Sequence, residues 1–167
     1  NPVLVNGVTS NPHAIVHNAH VWNGELYLAN YTEGIRALDI SDPHHPAEFA
    51  SADSYFGPSG GFAGVWEVCP FFPSGIVIAS DRQTGLYVYR PDRSYGIVEA
   101  RVVYNNGGGP AAGVKVNLTT EGDSLVTPAD GIVRFAPSPG AHTIKAHAFG
   151  FYDQSTSMLV SAGQTTH

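Results

Sequence analysis

The chain has 167 residues, of which only 13% are charged, and its formal net charge at pH 7 is −6 with a sequence pI near 5.6. This acidic balance, without any basic cluster, excludes a nucleic-acid-binding protein, which needs a positively charged face. No apolar run approaches the roughly 18 residues that a membrane-spanning helix requires, so no membrane span is predicted. Frequent glycine (19) and proline (12), and the lack of apolar residues at helical spacing, predict an all-β protein.

Residues 1–12 open with a short apolar stretch at residues 2–5 that could form a strand, followed by turn residues at 6–7 and 10–12. A segment of this length is too short for an independent hairpin. We therefore expect it to lie along another sheet or along another chain.

A β unit then occurs twice, which is the main fold signal. Each copy has alternating apolar residues, a turn containing glycine (Gly34 and Gly85), a second alternating stretch, and a stop of the type Ser-Asp-Pro or Arg-Pro-Asp. The strands predicted for the two copies are residues 13–22, 25–29, 35–40 and 47–54, and then 65–68, 75–79 and 86–89. The period and pattern are typical of four-stranded propeller blades, and about two blades cannot close a ring.

The composition changes after residue 92, so we place a domain boundary there and predict two domains, residues 1–92 and 93–167. The second has short strands separated by turns, one of them at residues 105–110. The predicted strands are residues 95–104, 113–120, 132–136, 141–148 and 158–160. This spacing is typical of a small antiparallel sandwich.

Two stretches carry a resemblance to known families. Residues 34–46, GIRALDISDPHHP, and residues 73–88, PSGIVIASDRQTGLYV, are similar to the two motifs of the LVIVD-repeat propellers in the bacterial choice-of-anchor B family. The resemblance covers residues 13–92 and implies a propeller fold and a secreted or cell-surface protein, without catalytic residues. That family carries several further repeats, so this chain is either a C-terminal piece of a longer one or has its open edges filled by neighbouring chains.

The second domain resembles another group. Residues 113–116, GVKV, residues 129–135, ADGIVRF, and residues 139–148, PGAHTIKAHA, are similar to carboxypeptidase-regulatory or transthyretin-like accessory domains. The resemblance covers residues 96–167. It implies a β-sandwich that serves as a spacer or a binding domain.

The candidate ligand-binding residues are His17, Asn18, His20 and Trp66, near the axis of the predicted propeller, although simple packing explains them as well. Eight histidines raise the question of a metal site. On a strand that rises about 3.3 Å per residue, His17 and His20 point to opposite faces, and more distant pairs are too far apart for one ion. We therefore predict no metal ligands and no cofactor.

Nothing in the sequence predicts an enzyme. No nucleophile motif or glutamate pair is present, and the acidic residues next to turns are explained by Asx hydrogen bonds to the backbone: Asp39, Asp42, Asp81 and Asp130. Two glycosylation sequons begin at Asn30 and Asn117. Asn30 heads a hairpin turn and is expected to be exposed, whereas Asn117 is usable only if it lies on an outer face.

These observations favour a non-catalytic structural or interaction protein, extracellular or at a cell surface, that self-associates through residues 1–12 and its open blade edges. The alternative is a ligand- or metal-binding propeller, enzymatic or not, whose site is shared with repeats absent from this chain. A third interpretation makes the second domain a spacer.

Overall fold

A computed structural model describes residues 1–9, 11–105 and 107–167, and its strands are numbered β1 to β14 in chain order. The described residues form small, mostly antiparallel sheets with no helix and no closed barrel, which confirms the predicted all-β class. No helix long and apolar enough to cross a membrane occurs among them. The chain forms two compact units, residues 1–93 and 94–167.

The first sheet of unit 1 is a four-stranded antiparallel meander. Its strands, in spatial and chain order, are β1 (Asn18–Trp22), β2 (Glu25–Ala29), β3 (Ile35–Asp39) and β4 (Ala47–Ala52). Asn23 and Gly24 form the two-residue turn between β1 and β2, with φ of 51° and 78°, as a tight hairpin of this hand requires. Gly34 is needed before β3, because its φ is 69° and a Cβ there would lie 2.0 Å from the Ala52 carbonyl oxygen.

The second sheet of unit 1 has three strands. They are β5 (Val65–Cys69), β6 (Val77–Asp81) and β7 (Gly85–Tyr89), in the order β5-β6-β7. The sheet matches the second copy of the repeat, but no fourth strand follows in the described residues. After Tyr89 the chain leaves the sheet, and Arg93 binds Glu25 through an Nε–Oε1 contact of 2.7 Å.

The two sheets of unit 1 share one core. Apolar residues of β2 and β3 pack against those of β5 and β6, and they are Tyr27, Ala29, Ile35, Ala37, Val65, Val68, Val77 and Ala79. A bridge between Tyr31 and Val65 also joins the sheets. Burial, followed by the hydrogen bond to Glu25, raises the pKa of Tyr27 to about 12, so its hydroxyl keeps its proton.

Unit 2 is a sandwich of two sheets. The larger has the order β10-β9-β12-β13, made of β9 (Lys115–Leu118), β10 (Asp123–Val126), β12 (Gly140–His147) and β13 (Gln154–Val160). The smaller has the order β11-β8-β14, made of β8 (Ile97–Arg101), β11 (Ile132–Phe135) and β14 (Thr165–Thr166). Apolar residues from both sheets form the core, including Val98, Val116, Leu118, Val133, Phe135 and Val160.

The first and last strands of unit 2 lie side by side. β14 pairs with β8 in parallel, with Thr165 opposite Ile97 and Thr166 opposite Val98. Two backbone bonds extend the pairing: the Ile97 N–H donates to Gln164 O at 2.8 Å, and the Gly163 N–H donates to Tyr95 O at 2.7 Å. These bonds tie the beginning of the unit to its end.

Several local predictions are wrong. Of the strand predicted at 13–22 only β1 is present. Residues 2–5 form no strand within their own chain, and the expectation that they lie along another chain stays a prediction. The two short strands β10 and β14 were not predicted. Ser10, in the predicted turn at 10–12, and Asn106, in the predicted turn at 105–110, lie outside the described residues.

Candidate functional site

The first pair of candidate residues, His17 and Trp66, is joined directly. Residue 17 immediately precedes β1, and β5 carries Trp66, whose Nε1–H donates to His17 Nε2. The two rings meet edge to face with centroids 5.3 Å apart, and the Tyr31 ring lies 5.2 Å from that of His17. Because His17 accepts through Nε2, its neutral ring carries the proton on Nδ1.

The second pair, Asn18 and His20, converges on a residue that sequence reasoning missed. Glu67 Oε2 accepts from Asn18 Nδ2 at 2.6 Å, and its Oε1 lies 2.9 Å from His20 Nε2. The Val68 N–H also donates to Oε1, at 2.8 Å. Glu67 is the one acidic residue in the otherwise apolar stretch 65–68, and this could have marked it as a candidate. Its partners Asn18 and His20 lie 49 and 47 residues earlier in the chain, so the local sequence pattern could not identify them.

The environment of Glu67 holds it in the charged state. Partial burial by itself would raise the pKa of this carboxyl, but the hydrogen bonds from His20, Val68 and Asn18 together lower it below its ordinary 4.5. His17 and His20 thus make different contacts: His17 contacts the indole of Trp66, and His20 contacts the carboxylate of Glu67.

An open cavity of about 530 Å³ lies beside the first pair, and its lining residues are His17, Tyr31, Phe62, Trp66 and Arg82. Trp66 and Phe62 are large apolar side chains, yet 51% and 62% of their surfaces are exposed. The Arg82 guanidinium donates through Nη1 to the Phe62 carbonyl. Tyr31, Phe62 and Arg82 were not predicted, because they come from a turn, a loop and the turn after β6, which only the tertiary fold brings together.

The candidate histidines do not belong to a cluster of metal-ligating side chains in the part of the chain that the structure describes. Among residues 1–9, 11–105 and 107–167, no group of three or more His, Cys, Asp and Glu side chains could hold an ion. The His20–Glu67 pair supplies two ligand groups, fewer than a structural zinc site uses.

The predicted Asx hydrogen bonds from turn backbone to acidic side chains are present. Each of these side chains accepts a hydrogen bond from the backbone N–H two residues later, and they are Asp39, Asp42, Asp81 and Asp130. These carboxylates are used to hold turns.

The two sequons have different surroundings. The prediction that Asn30 is exposed is wrong: only 2% of its surface is accessible, because the Tyr31–Val65 bridge holds its turn against the second sheet. Asn117 lies in β9 on the face opposite the buried Val116 and Leu118, and is half-buried there. Its Nδ2 lies 3.5 Å from the Lys145 carbonyl.

The edge of the second sheet is a separate candidate surface. Leu86 and Val88 of β7 are exposed and lie beside Ser80 and Ile78 of β6 on the same face. No described strand pairs with the other side of β7. The opposite face carries Tyr87 and Tyr89, whose rings stack with centroids 5.9 Å apart.

No family model and no curated protein matches this chain. The resemblances to LVIVD-repeat propellers and to transthyretin-like domains therefore stay predictions.

Proposed function

We propose that this protein is a non-catalytic interaction protein that associates with copies of itself by strand addition at β7. The observation that carries the proposal is the three-stranded second sheet beside a four-stranded first one. An edge strand presents unpaired N–H and C=O groups that another strand can bind.

The composition of β7 distinguishes it from β4, one of the two edge strands of the first sheet. Folded proteins commonly protect an edge with a charged residue, which is costly to bury under an added strand. β4 carries Glu48, which pairs with Arg36 at 2.9 Å. The β7 sequence, GLYVY, has no charged residue, and its exposed Leu86 and Val88 favour further burial.

Residues 2–5, PVLV, are the proposed added strand, donated by a second copy. Val3 and Leu4 are almost fully exposed, and the segment forms no strand within its own chain. Asn6 donates to the His44 carbonyl in the β3–β4 connection, and Asn11 donates to Glu33 in the β2–β3 turn at 2.8 Å, so the residues that follow this segment are anchored on the first sheet. A proline at the first position of an added strand is compatible with edge pairing.

The contact joins two different surfaces, so each copy can donate one strand and accept another. Such head-to-tail contacts produce rings or filaments, depending on the rotation between copies. The family resemblance supports a place outside the cell or at its surface. In that setting Asn117, on the open face of β9, is the sequon we propose as a glycan site.

Sedimentation velocity over a range of concentrations tests the proposal. The wild-type chain is expected to form larger species as its concentration rises, and Leu86→Lys or Leu4→Asp to weaken this association at least about tenfold. Leu159→Lys is the matched control, because Leu159 is 73% exposed and Leu86 68%, but Leu159 lies in unit 2.

Two results would contradict the proposal. One is a wild-type chain that remains a monomer at all concentrations tested, and the other is equal weakening by Leu86→Lys and Leu159→Lys. Circular dichroism of each variant establishes that its fold is retained. Recovery of association on mixing the Leu86→Lys and Leu4→Asp chains would support the donor and acceptor roles directly, because this mixture retains one unmodified donor and one unmodified edge.

A further inference from the structure

We infer that the cavity beside His17 binds an acidic saccharide, with its sugar ring against Trp66 and Phe62 and its carboxylate at Arg82. Arg82 lies in the turn between β6 and β7, but none of the cavity-lining residues belongs to β7 itself, and the inference does not depend on self-association. Three observations carry it: exposed aromatic rings, a fixed orientation of those rings, and a cation without a carboxylate partner.

The aromatic rings are exposed where they line a concavity. Trp66 and Phe62 present their surfaces to a cavity of about 530 Å³ that is open to solvent. This volume lies in the lower half of the range of ordinary ligand sites and suits one or two rings of a short saccharide. The C–H groups on one face of a pyranose pack well against an aromatic ring, while its hydroxyl groups stay in water.

The rings are held in place before any ligand arrives. The indole N–H of Trp66 is bound to His17, and the Tyr31 ring packs edge to face on both His17 and Phe62, with centroids 5.2 and 5.5 Å apart. A binding surface whose side chains are already ordered loses less conformational entropy on binding. The arrangement therefore favours a ligand that presents one regular apolar face to the rings, as the C–H face of a pyranose does.

Arg82 determines the charge of that ligand. Its side chain is exposed at the cavity wall and donates to the Phe62 carbonyl, but no carboxylate pairs with it within the described ranges. A guanidinium has five N–H donors in a planar fork that matches a carboxylate. With an overall net charge of −6, the chain repels long polyanions, so a short acidic saccharide is the better match.

Isothermal titration calorimetry with a trimer of galacturonic acid tests the assignment, and the indole N–H resonance of Trp66 reports on the site. The wild-type chain is expected to bind this trimer at least about tenfold more tightly than the neutral galactose trimer. Arg82→Gln is expected to remove most of this preference, and Phe62→Ser to weaken both ligands. Arg90→Gln, at an exposed arginine in the same unit, is the matched control and is expected to change neither affinity.

Binding of the acidic and neutral trimers with equal affinity would overturn the assignment. So would an unchanged preference in Arg82→Gln, or no heat and no shift of the Trp66 resonance up to about 10 mM trimer. Phenylacetate serves as a second probe, since it has a ring and a carboxylate but no hydroxyl groups. Tighter binding of phenylacetate than of the acidic trimer would also overturn the assignment to a saccharide.

Discussion

Replacement of Asp81 is the sharpest test of how the β6–β7 hairpin is held. This buried carboxylate ends β6 and accepts three hydrogen bonds: from Ser54 Oγ at 2.6 Å, the Gln83 N–H at 2.7 Å and the Thr84 N–H at 2.8 Å. Burial alone would raise the pKa of Asp81, but these bonds together lower it below its ordinary 3.8.

The expected magnitude follows from the bonds lost. A hydrogen bond to a charged group contributes about 1.5–3 kcal/mol, and bonds sharing one acceptor are not additive. We expect Asp81→Ala to lower the free energy of unfolding of unit 1 by about 3–4 kcal/mol. Asp81→Asn keeps an oxygen for the two backbone N–H groups, so its cost is about 1 kcal/mol.

The effect depends on pH with a definite sign. Because the pKa of Asp81 is lower in the folded than in the unfolded chain, its charge stabilises the fold fully above about pH 5. This contribution is lost as the pH falls through the folded-state pKa. The difference in stability between the wild-type chain and Asp81→Asn is therefore expected to shrink toward about pH 3.

Urea unfolding followed by tryptophan fluorescence measures this difference. The chain has two tryptophans, Trp22 and Trp66, and both lie in unit 1, so the signal does not report unfolding of unit 2. Asp53→Asn is the matched control, because exposed Asp53 accepts one backbone N–H, from Tyr55 at 2.8 Å. Equal effects of Asp81→Asn and Asp53→Asn on stability, or a difference between the wild-type chain and Asp81→Asn that does not change with pH, would contradict this role of Asp81.

Two further substitutions test the other contacts. Glu67→Gln is expected to lower the free energy of unfolding of unit 1 by about 0.5–1 kcal/mol at neutral pH, measured by urea unfolding. The value is small because the carboxylate is 42% exposed and screened by water. An unchanged stability would contradict a role for Glu67 in joining β1 to β5. Thr127→Val is expected to cost unit 2 about 2–3 kcal/mol, because the buried hydroxyl accepts from the Val114 N–H at 3.0 Å and donates to Ala111 O at 2.6 Å. Native-state hydrogen exchange of the β9 amides measures this loss, and equal protection in Thr127→Val and the exposed-site control Thr156→Val would contradict it.

Local chemistry explains which strands the sequence predicted well. The strand at residues 25–29 has the same bounds as β2, because alternating side chains and tight turns are readable within a few residues. β1 begins later than predicted, at Asn18, since its length is decided by its pairing with β2. Residues 2–5 show the same limit, because an apolar pattern becomes a strand only where another strand is available.

Long-range contacts explain what the sequence could not predict at the candidate site. Asn18 and Glu67 meet only after the two sheets of unit 1 pack together. The burial of Asn30 has the same origin, since the Tyr31–Val65 bridge closes over its turn. Of the residues that line the cavity, His17 and Trp66 were predicted from the sequence, but Arg82, which carries the positive charge, was not.

The parallel pairing of β8 and β14 has a mechanical consequence for unit 2. When the chain is stretched between residues 94 and 167, the pull on β8 and the pull on β14 act in opposite directions along two neighbouring strands. The bonds from Ile97 to Gln164 and from Gly163 to Tyr95 are then loaded together in shear, and not broken one at a time as in a peeled hairpin. Tension along the chain can therefore open unit 2 only by breaking these bonds together.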